Sequence, residues 1–198
     1  MNMNNETEEM RFGILNAAST CFREAGVGKS RLRDIAARAG VEVNDITAMF
    51  QDKAMLSFAV QGHELERLKS DYLSNMPDAS LSEVLKFIMR ARCEFVEKNQ
   101  KQTMYFFRNS FMGKQPWSTV LDQLVWKISI EFASLFEKAI RDGAIGKDTD
   151  VNIAVRALIS FYLTGIVTQG LRAESFDADT VWGFIEPQVD LLMDGLKA

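Results

Sequence analysis

A chain of 198 residues can hold one large domain or two small ones sharing an interface, and its 47% apolar and 25% charged residues exclude an intrinsically disordered composition. The net charge of −4 excludes a protein that coats nucleic acid by bulk electrostatics. It leaves room for a local DNA reader, because residues 11–57 carry seven basic groups (Arg11, Arg23, Lys29, Arg31, Arg33, Arg38, Lys53) against five acidic ones, a local +2.

The polar, acidic first ten residues predict no signal peptide. Asn5 with Glu8 forms a capping-box pattern ahead of a helix whose stripe is Met10, Ile14, Ala18 and Phe22, stopped by Gly26. Ser30 is expected to cap a second helix with Leu32, Ile35, Ala36 and Ala39 on one face, ended by Gly40. A short third helix follows from about Val43 to Met49, and Asp52 caps a long fourth through Leu56, Ala59, His63 and Leu68 towards Tyr72. Pro77 closes that segment, and the Ser80–Glu83 box opens a helix with Leu85, Ile88, Arg92 and Phe95. A Met- and Phe-rich helix spans about Lys101 to Met112, and after Gly113 and Pro116 a long helix carries Val120, Leu124, Ile128, Phe132 and Leu135. Asp148 or Asp150 starts the next, which runs through Val155, Leu158 and Tyr162 to Leu171. Asp177 starts the last, with Pro187 inside it as an expected bend.

No stretch alternates apolar and polar residues, so the expected class is all-α: about nine helices, three short and then six longer, with no strands. The division expected is a three-helix head over 1–52 and a helical domain over 53–198. The longest apolar run, Ala157 to Thr168, falls short of the roughly 20 residues that span a bilayer, so no membrane partner is expected. Cys21 and Cys93, far apart and without CxxC spacing, suit reduced thiols in a cytoplasmic protein.

The sharpest pattern is Leu32-Arg33-Asp34-Ile35-Ala36-Ala37-Arg38-Ala39-Gly40-Val41. A helix-turn-helix needs a small residue where its helices meet, which Ala36 supplies, and a turn residue that tolerates positive φ, which Gly40 supplies. Ile35, Ala39, Val41, Ile46 and Met49 have the spacing of a small shared core.

From Met10 to Leu56 the sequence resembles the TetR family of transcriptional regulators. The residues that carry the likeness are Ala17-Ala18, Phe22, Gly26, Arg33-Asp34-Ile35-Ala36, Ala39-Gly40-Val41, Phe50 and Lys53. The resemblance implies a homodimeric repressor that binds a double-stranded operator and is released by a small hydrophobic effector. The DNA-binding residues expected on it are Ser30, Arg31, Arg33, Val43, Asn44, Asp45, Thr47, Ala48 and Lys53. Three or four phosphate contacts per protomer would give a salt slope of roughly −5 to −7. The reading helix departs from the family's pattern at Glu42, Asn44, Thr47, Ala48 and Met49, and Glu42 and Asp45 would bring negative charge towards phosphates. The alternative is therefore a TetR-like ligand- or protein-binding module with a degenerate recognition helix and no specific DNA binding.

Farther on, Ala154, Leu158, Phe161, Gly165, Val181, Ile185, Val189 and Leu192 are the expected dimer interface. Their arcs are too wide for helices with a solvated face, although burial within one protomer is the other account. Aromatic residues crowd positions 87–126, which suits either an ordinary core or a pocket. The expected pocket residues are His63, Ile88, Arg92, Phe95, Phe107, Arg108, Phe111, Trp117, Leu121, Leu124 and Tyr162. With one histidine and no metal-ligand set, phosphate loop, dinucleotide motif or nucleophile elbow, neither an enzyme, nor a metal, nor a cofactor is expected.

Overall fold

The computed structural model describes residues 3–170 and 175–196. Among the described residues the order is α1 (Met3–Ala25), α2 (Leu32–Ala39), α3 (Val43–Phe50), α4 (Lys53–Ser74), α5 (Leu81–Lys98), α6 (Gln100–Phe111), α7 (Trp117–Arg141), α8 (Val151–Gly165) and α9 (Ala178–Gly195), with a π-helical turn at Ile166–Gly170 and no strand. The expected class and number of helices hold. The expected lengths do not, because α1 has 23 residues and begins before Asn5, so the predicted Asn5–Glu8 box does not open it. The predicted end of the eighth helix at Leu171 lies outside the described residues.

The helix starts follow their caps. Asp52 Oδ1 accepts the Met55 N–H at 2.8 Å, Asp150 Oδ1 accepts from Ile153 at 3.1 Å, and Asp177 Oδ1 accepts from Thr180 at 2.6 Å. Ser80 and Glu83 exchange both bonds of a capping box. Ser30 is the exception. Arg31 holds the N-cap position of α2 without a side-chain bond, while the Ser30 hydroxyl turns inward to donate to Gly26 O at 2.9 Å and Cys21 O at 3.1 Å. It thereby satisfies carbonyls that the end of α1 leaves open.

The chain divides into two compact units, 1–70 with 98–106 and 71–97 with 107–198. The cut falls within α4, near the end of α5 and within α6, so the first unit extends well beyond the three-helix head expected at 1–52. In that unit Ile14, Ala18 and Phe22 of α1 are fully buried with Ile35, Ile46, Leu56 and Val60. Each large apolar side chain of this kind contributes about 1.5–3 kcal/mol on burial. Residues 98–106 belong here through specific contacts. Lys101 Nζ donates to Glu24 O at 2.5 Å, Gln102 Nε2 donates to Gln61 Oε1 at 3.3 Å, and Phe106 meets Phe58 edge-on with centroids 6.4 Å apart.

In the second unit Leu85, Ile88, Met89, Cys93 and Val96 of α5 are buried, as are Phe132 and Phe136 of α7, Leu158 of α8, and Val181, Ile185 and Val189 of α9. The outer face of α5 is tied to α9 by charge. Lys86 pairs with Asp190 at 2.5 Å, Arg90 pairs with Asp179, and Glu97 Oε1 accepts the Ala178 N–H at 3.0 Å. Helix α9 runs unbroken past Pro187. Val151–Gln169, 19 residues of mean hydropathy 1.6, is long and apolar enough to cross a membrane by length and composition, a longer stretch than the sequence pattern picked out. Here it packs on α7 and α9.

Candidate functional site

The helix-turn-helix is assembled as its residues require. Gly40 takes φ 70, ψ 33, a left-handed conformation that costs a side chain-bearing residue energy, and its N–H closes on Ala36 O. Ile35 and Ile46 are fully buried in the core shared with α1 and α4, and Leu32, Ala39, Val41, Val43 and Met49 pack against that core. On α3, Asn44 and Ala48 consequently face solvent.

The acids of α3 have a local role that spacing alone did not suggest. Glu42 at the N-cap and Asp45 at the third position form a capping box, with the Glu42 N–H donating to Asp45 Oδ2 at 2.8 Å. Negative charge is favourable at a helix N-terminus, so both carboxylates serve the reading helix itself. They also stand where that terminus would otherwise receive a phosphate.

Apart from Asp45, which caps α3, the expected DNA-contacting residues fall into two groups. Asn44 and Ala48 are exposed on α3, and Arg31 and Arg33 are exposed at the start of α2. Arg31 grips Asp34 at 2.8 and 3.3 Å, raising the guanidinium pKa and holding the Asp34 carboxyl below the usual range, and Arg33 lies 3.7 Å from the same carboxylate. The second group is turned inward. Ser30 is buried with its hydroxyl committed as described. Lys53 donates from Nζ to Gly28 O at 3.1 Å and Ser30 O at 3.0 Å, clamping the α1–α2 turn instead of reaching outward. Thr47 directs its hydroxyl to Val43 O and Asn44 O within its own helix, and Val43 packs on the core.

One feature beside the reading helix escaped the sequence. Gln51 adopts φ 68, ψ −63, and the Asp52 N–H meets Phe50 O at 2.8 Å, a γ-turn of the strained hand. Nothing in a Phe-Gln-Asp sequence announces it, since glycine would be the expected residue at positive φ.

Among the expected pocket residues, Ile88, Arg92, Phe95, Phe107 and Trp117 are buried in the second unit, and Leu121, Leu124 and Tyr162 are half-buried. Arg108 and Phe111 are exposed and line no interior there. His63 belongs to the other unit, edge-on to Phe12 at 5.3 Å. Arg92 draws in two partners the sequence did not offer. Its Nη2 lies 3.2 Å from the Tyr72 hydroxyl and 3.4 Å from both oxygens of Glu131, and Tyr72 donates to Glu131 in turn. Burial, foremost, pushes the Tyr72 hydroxyl far above the ordinary phenol range and keeps it a donor. A separate cleft of about 280 Å³ in the same unit is lined by none of the expected residues, and Met76, Pro77, Leu81, Val84, Leu135 and Ala139 supply its apolar side.

Six of the eight expected dimer residues lie inward. Ala154, Leu158, Gly165, Val181, Ile185 and Val189 are buried within the protomer, because α8 and α9 pack on each other. A Cβ at Gly165 would stand 3.0 Å from Ile185 Cδ1 and 3.3 Å from Val181 Cγ1. Phe161 and Leu192 are half-buried, while Ile153, Phe184 and Leu191 leave large apolar surface in solvent, Leu191 at 75% exposure.

Residues 14–60 match the family model described as bacterial regulatory proteins, tetR family. Among curated proteins none matches the sequence significantly. Solved structures match across almost the whole chain. A protein from Rhodococcus sp. assigned to the TetR family of transcriptional regulators is 17% identical with TM-score 0.76, covering 94% of this chain and 99% of its own. A transcriptional regulator from Cytophaga hutchinsonii is 16% identical with TM-score 0.75, covering 93% and 97%. FadR from Bacillus subtilis, solved in complex with stearoyl-CoA, is 17% identical with TM-score 0.69, covering 94% and 99%. Motif and architecture agree: residues 14–60 match the N-terminal model of the tetR family of bacterial regulatory proteins, and the chain as a whole has the fold seen in those solved structures.

Proposed function

We propose that this chain is a cytoplasmic, non-enzymatic, ligand-responsive transcriptional regulator, a homodimeric repressor whose hold on a DNA operator is released by a small hydrophobic effector. The observation that carries the reading is the packed α2–Gly40–α3 unit with Asn44 and Ala48 outward, the arrangement by which a second helix enters a major groove. Dimerisation is supported by the exposed apolar residues Ile153, Phe184 and Leu191, and two half-sites one helical turn apart require two such heads. The effector region is the second unit, and a neighbour of the same fold holds an acyl thioester. Helix α4 begins in one unit and ends in the other, a continuous route for reciprocal coupling, typically about 1–3 kcal/mol.

Gel-shift titration against genomic fragments tests the reading. With Ser30 and Lys53 committed internally, Arg31 and Arg33 leave four phosphate contacts per dimer and a salt slope of about −4. If no fragment is retarded more than random DNA at low salt, the regulator reading is abandoned.

The Glu42–Asp45 box favours a second reading, a TetR-like module that binds a ligand or protein without operator specificity. The double substitution Glu42→Ser, Asp45→Thr separates the two. Gain of binding to one sequence marks a reader that has lost its function, and loss of binding shows that the acids read bases.

A further inference from the structure

We infer that the cleft between the turn leading into α5 and the C-terminal end of α7 is a binding site for a small amphiphile with a protonated amine head, a primary alkylammonium ion. The inference is independent of the effector reading, because it concerns binding alone and involves neither DNA nor Arg92.

The cleft has a volume of about 280 Å³ and lies wholly within the second unit. Its apolar side comes from three segments: Met76 and Pro77 of the turn, Leu81 and Val84 of α5, and Leu135 and Ala139 of α7. Val84 and Ala139 are buried, whereas Asp78, Ala79 and Ala144 are exposed, so the cleft is apolar inside and polar towards solvent. At the roughly 30 Å³ that a water-sized group occupies in a liquid, it admits a chain of about nine heavy atoms.

The polar groups of the lining select the head. Its side-chain donors are committed to carboxylates: Ser80 donates from Oγ to Glu83 Oε2 at 2.7 Å, and Lys138 donates from Nζ to Asp142. The Asp78 carboxylate, in contrast, meets no donor among the described residues. Because Lys138 and Asp142 cancel, the lining carries one net negative charge, that of Asp78. An anion is disfavoured for a second reason. A helix start attracts one, but at the start of α5 Glu83 already accepts the Ser80 N–H at 3.1 Å, and its bonds from Ser80 hold its carboxyl below the usual range. An ammonium group brings only donors, together with the opposite charge.

Amide chemical-shift titration of the full-length protein at pH 7, where an alkylamine is protonated as lysine is, tests this with hexylamine, hexanol and hexanoate. Hexylamine is expected to shift the signals of residues 76–84 and 135–144 and to bind ~5-fold more tightly than hexanol, the upper range for an exposed ion pair, with hexanoate the weakest. Asp78→Asn should bring the amine down to the level of the alcohol. Lys138→Met, which frees the Asp142 carboxylate as a second acceptor, should strengthen binding of the amine. Ala144→Leu, at an exposed lining position, should weaken all three compounds without loss of helicity. Hexanol or hexanoate binding as tightly as hexylamine overturns the inference, as do unchanged amine affinity in Asp78→Asn, shifts confined to residues outside the cleft, or no binding by any of the three. None of these results bears on the effector reading, which is judged by release from DNA.

Discussion

The same substitution at two helical glycines should move stability in opposite directions. At Gly165, a new Cβ meets Ile185 Cδ1 and Cγ1 at 3.0 Å and Val181 Cγ1 at 3.3 Å, and Ile185 is itself fully buried. Overpacking of this kind costs about 1–3 kcal/mol. Replacing Gly by Ala regains up to ~1 kcal/mol of helix propensity, less here because Gly165 is the last residue of α8. The net for Gly165→Ala is a destabilisation of about 1 kcal/mol, or roughly 2–4 °C in Tm for a protein of this size. At Gly62, inside α4, nothing lies within 4 Å of the new Cβ, and Gly62→Ala should stabilise by about 0.5–1 kcal/mol. Urea unfolding with unchanged m-values measures both. Adding Ile185→Val to Gly165→Ala should recover part of the loss, a coupling of at least ~0.5 kcal/mol. If Gly165→Ala stabilises the protein as Gly62→Ala does, the α8–α9 packing described here is wrong.

Four further outcomes are expected. Lys53→Met should destabilise by about 1–2 kcal/mol in urea while leaving the salt slope of DNA binding unchanged, because its ammonium holds Gly28 O and Ser30 O. A slope shallower by one unit per protomer would return Lys53 to the phosphate-binding set. Gln51→Gly should stabilise by about 1 kcal/mol through relief of the strained turn, and destabilisation would show that the Gln51 side chain matters more than its backbone. Asp177 and Glu83, at the starts of α9 and α5, have carboxyls held below the usual range by bonds from Thr180 and Ser80 respectively. Their stabilisation is complete above the unfolded value of about 4 and is lost as pH falls through the lower folded value, so Asp177→Asn should flatten the acid limb of a helicity-against-pH curve. An unchanged limb would remove Asp177 from the account. Leu191→Glu, at a 75% exposed position, should shift sedimentation from dimer to monomer without loss of helicity, and a dimer that persists places the interface elsewhere.

Much of the fold was legible because its signals are local. Asp52, Ser80, Asp150 and Asp177 start their helices through bonds to N–H groups three residues on, and Gly40 makes its turn through its own backbone freedom. The core of the helix-turn-helix was legible for the same reason, since Ile35, Ala39, Val41 and Ile46 lie within twelve residues of one another. The inward turn of Ser30 and Lys53 was not, because the carbonyls they satisfy exist as acceptors only once α1 and its following turn are in place.

Length, patterning and capping residues by themselves determined an all-helical class with a helix-turn-helix head near the start, since helix periodicity and turn chemistry are properties of short stretches. Only the tertiary structure decided that residues 98–106 join that head, that Tyr72, Arg92 and Glu131 meet from three separate helices, and which side of α8 and α9 faces inward. A helix apolar around most of its circumference carries no directional pattern, so its inner face is chosen by what packs against it: here Gly165 admits Val181 and Ile185, and Leu191 is left to solvent.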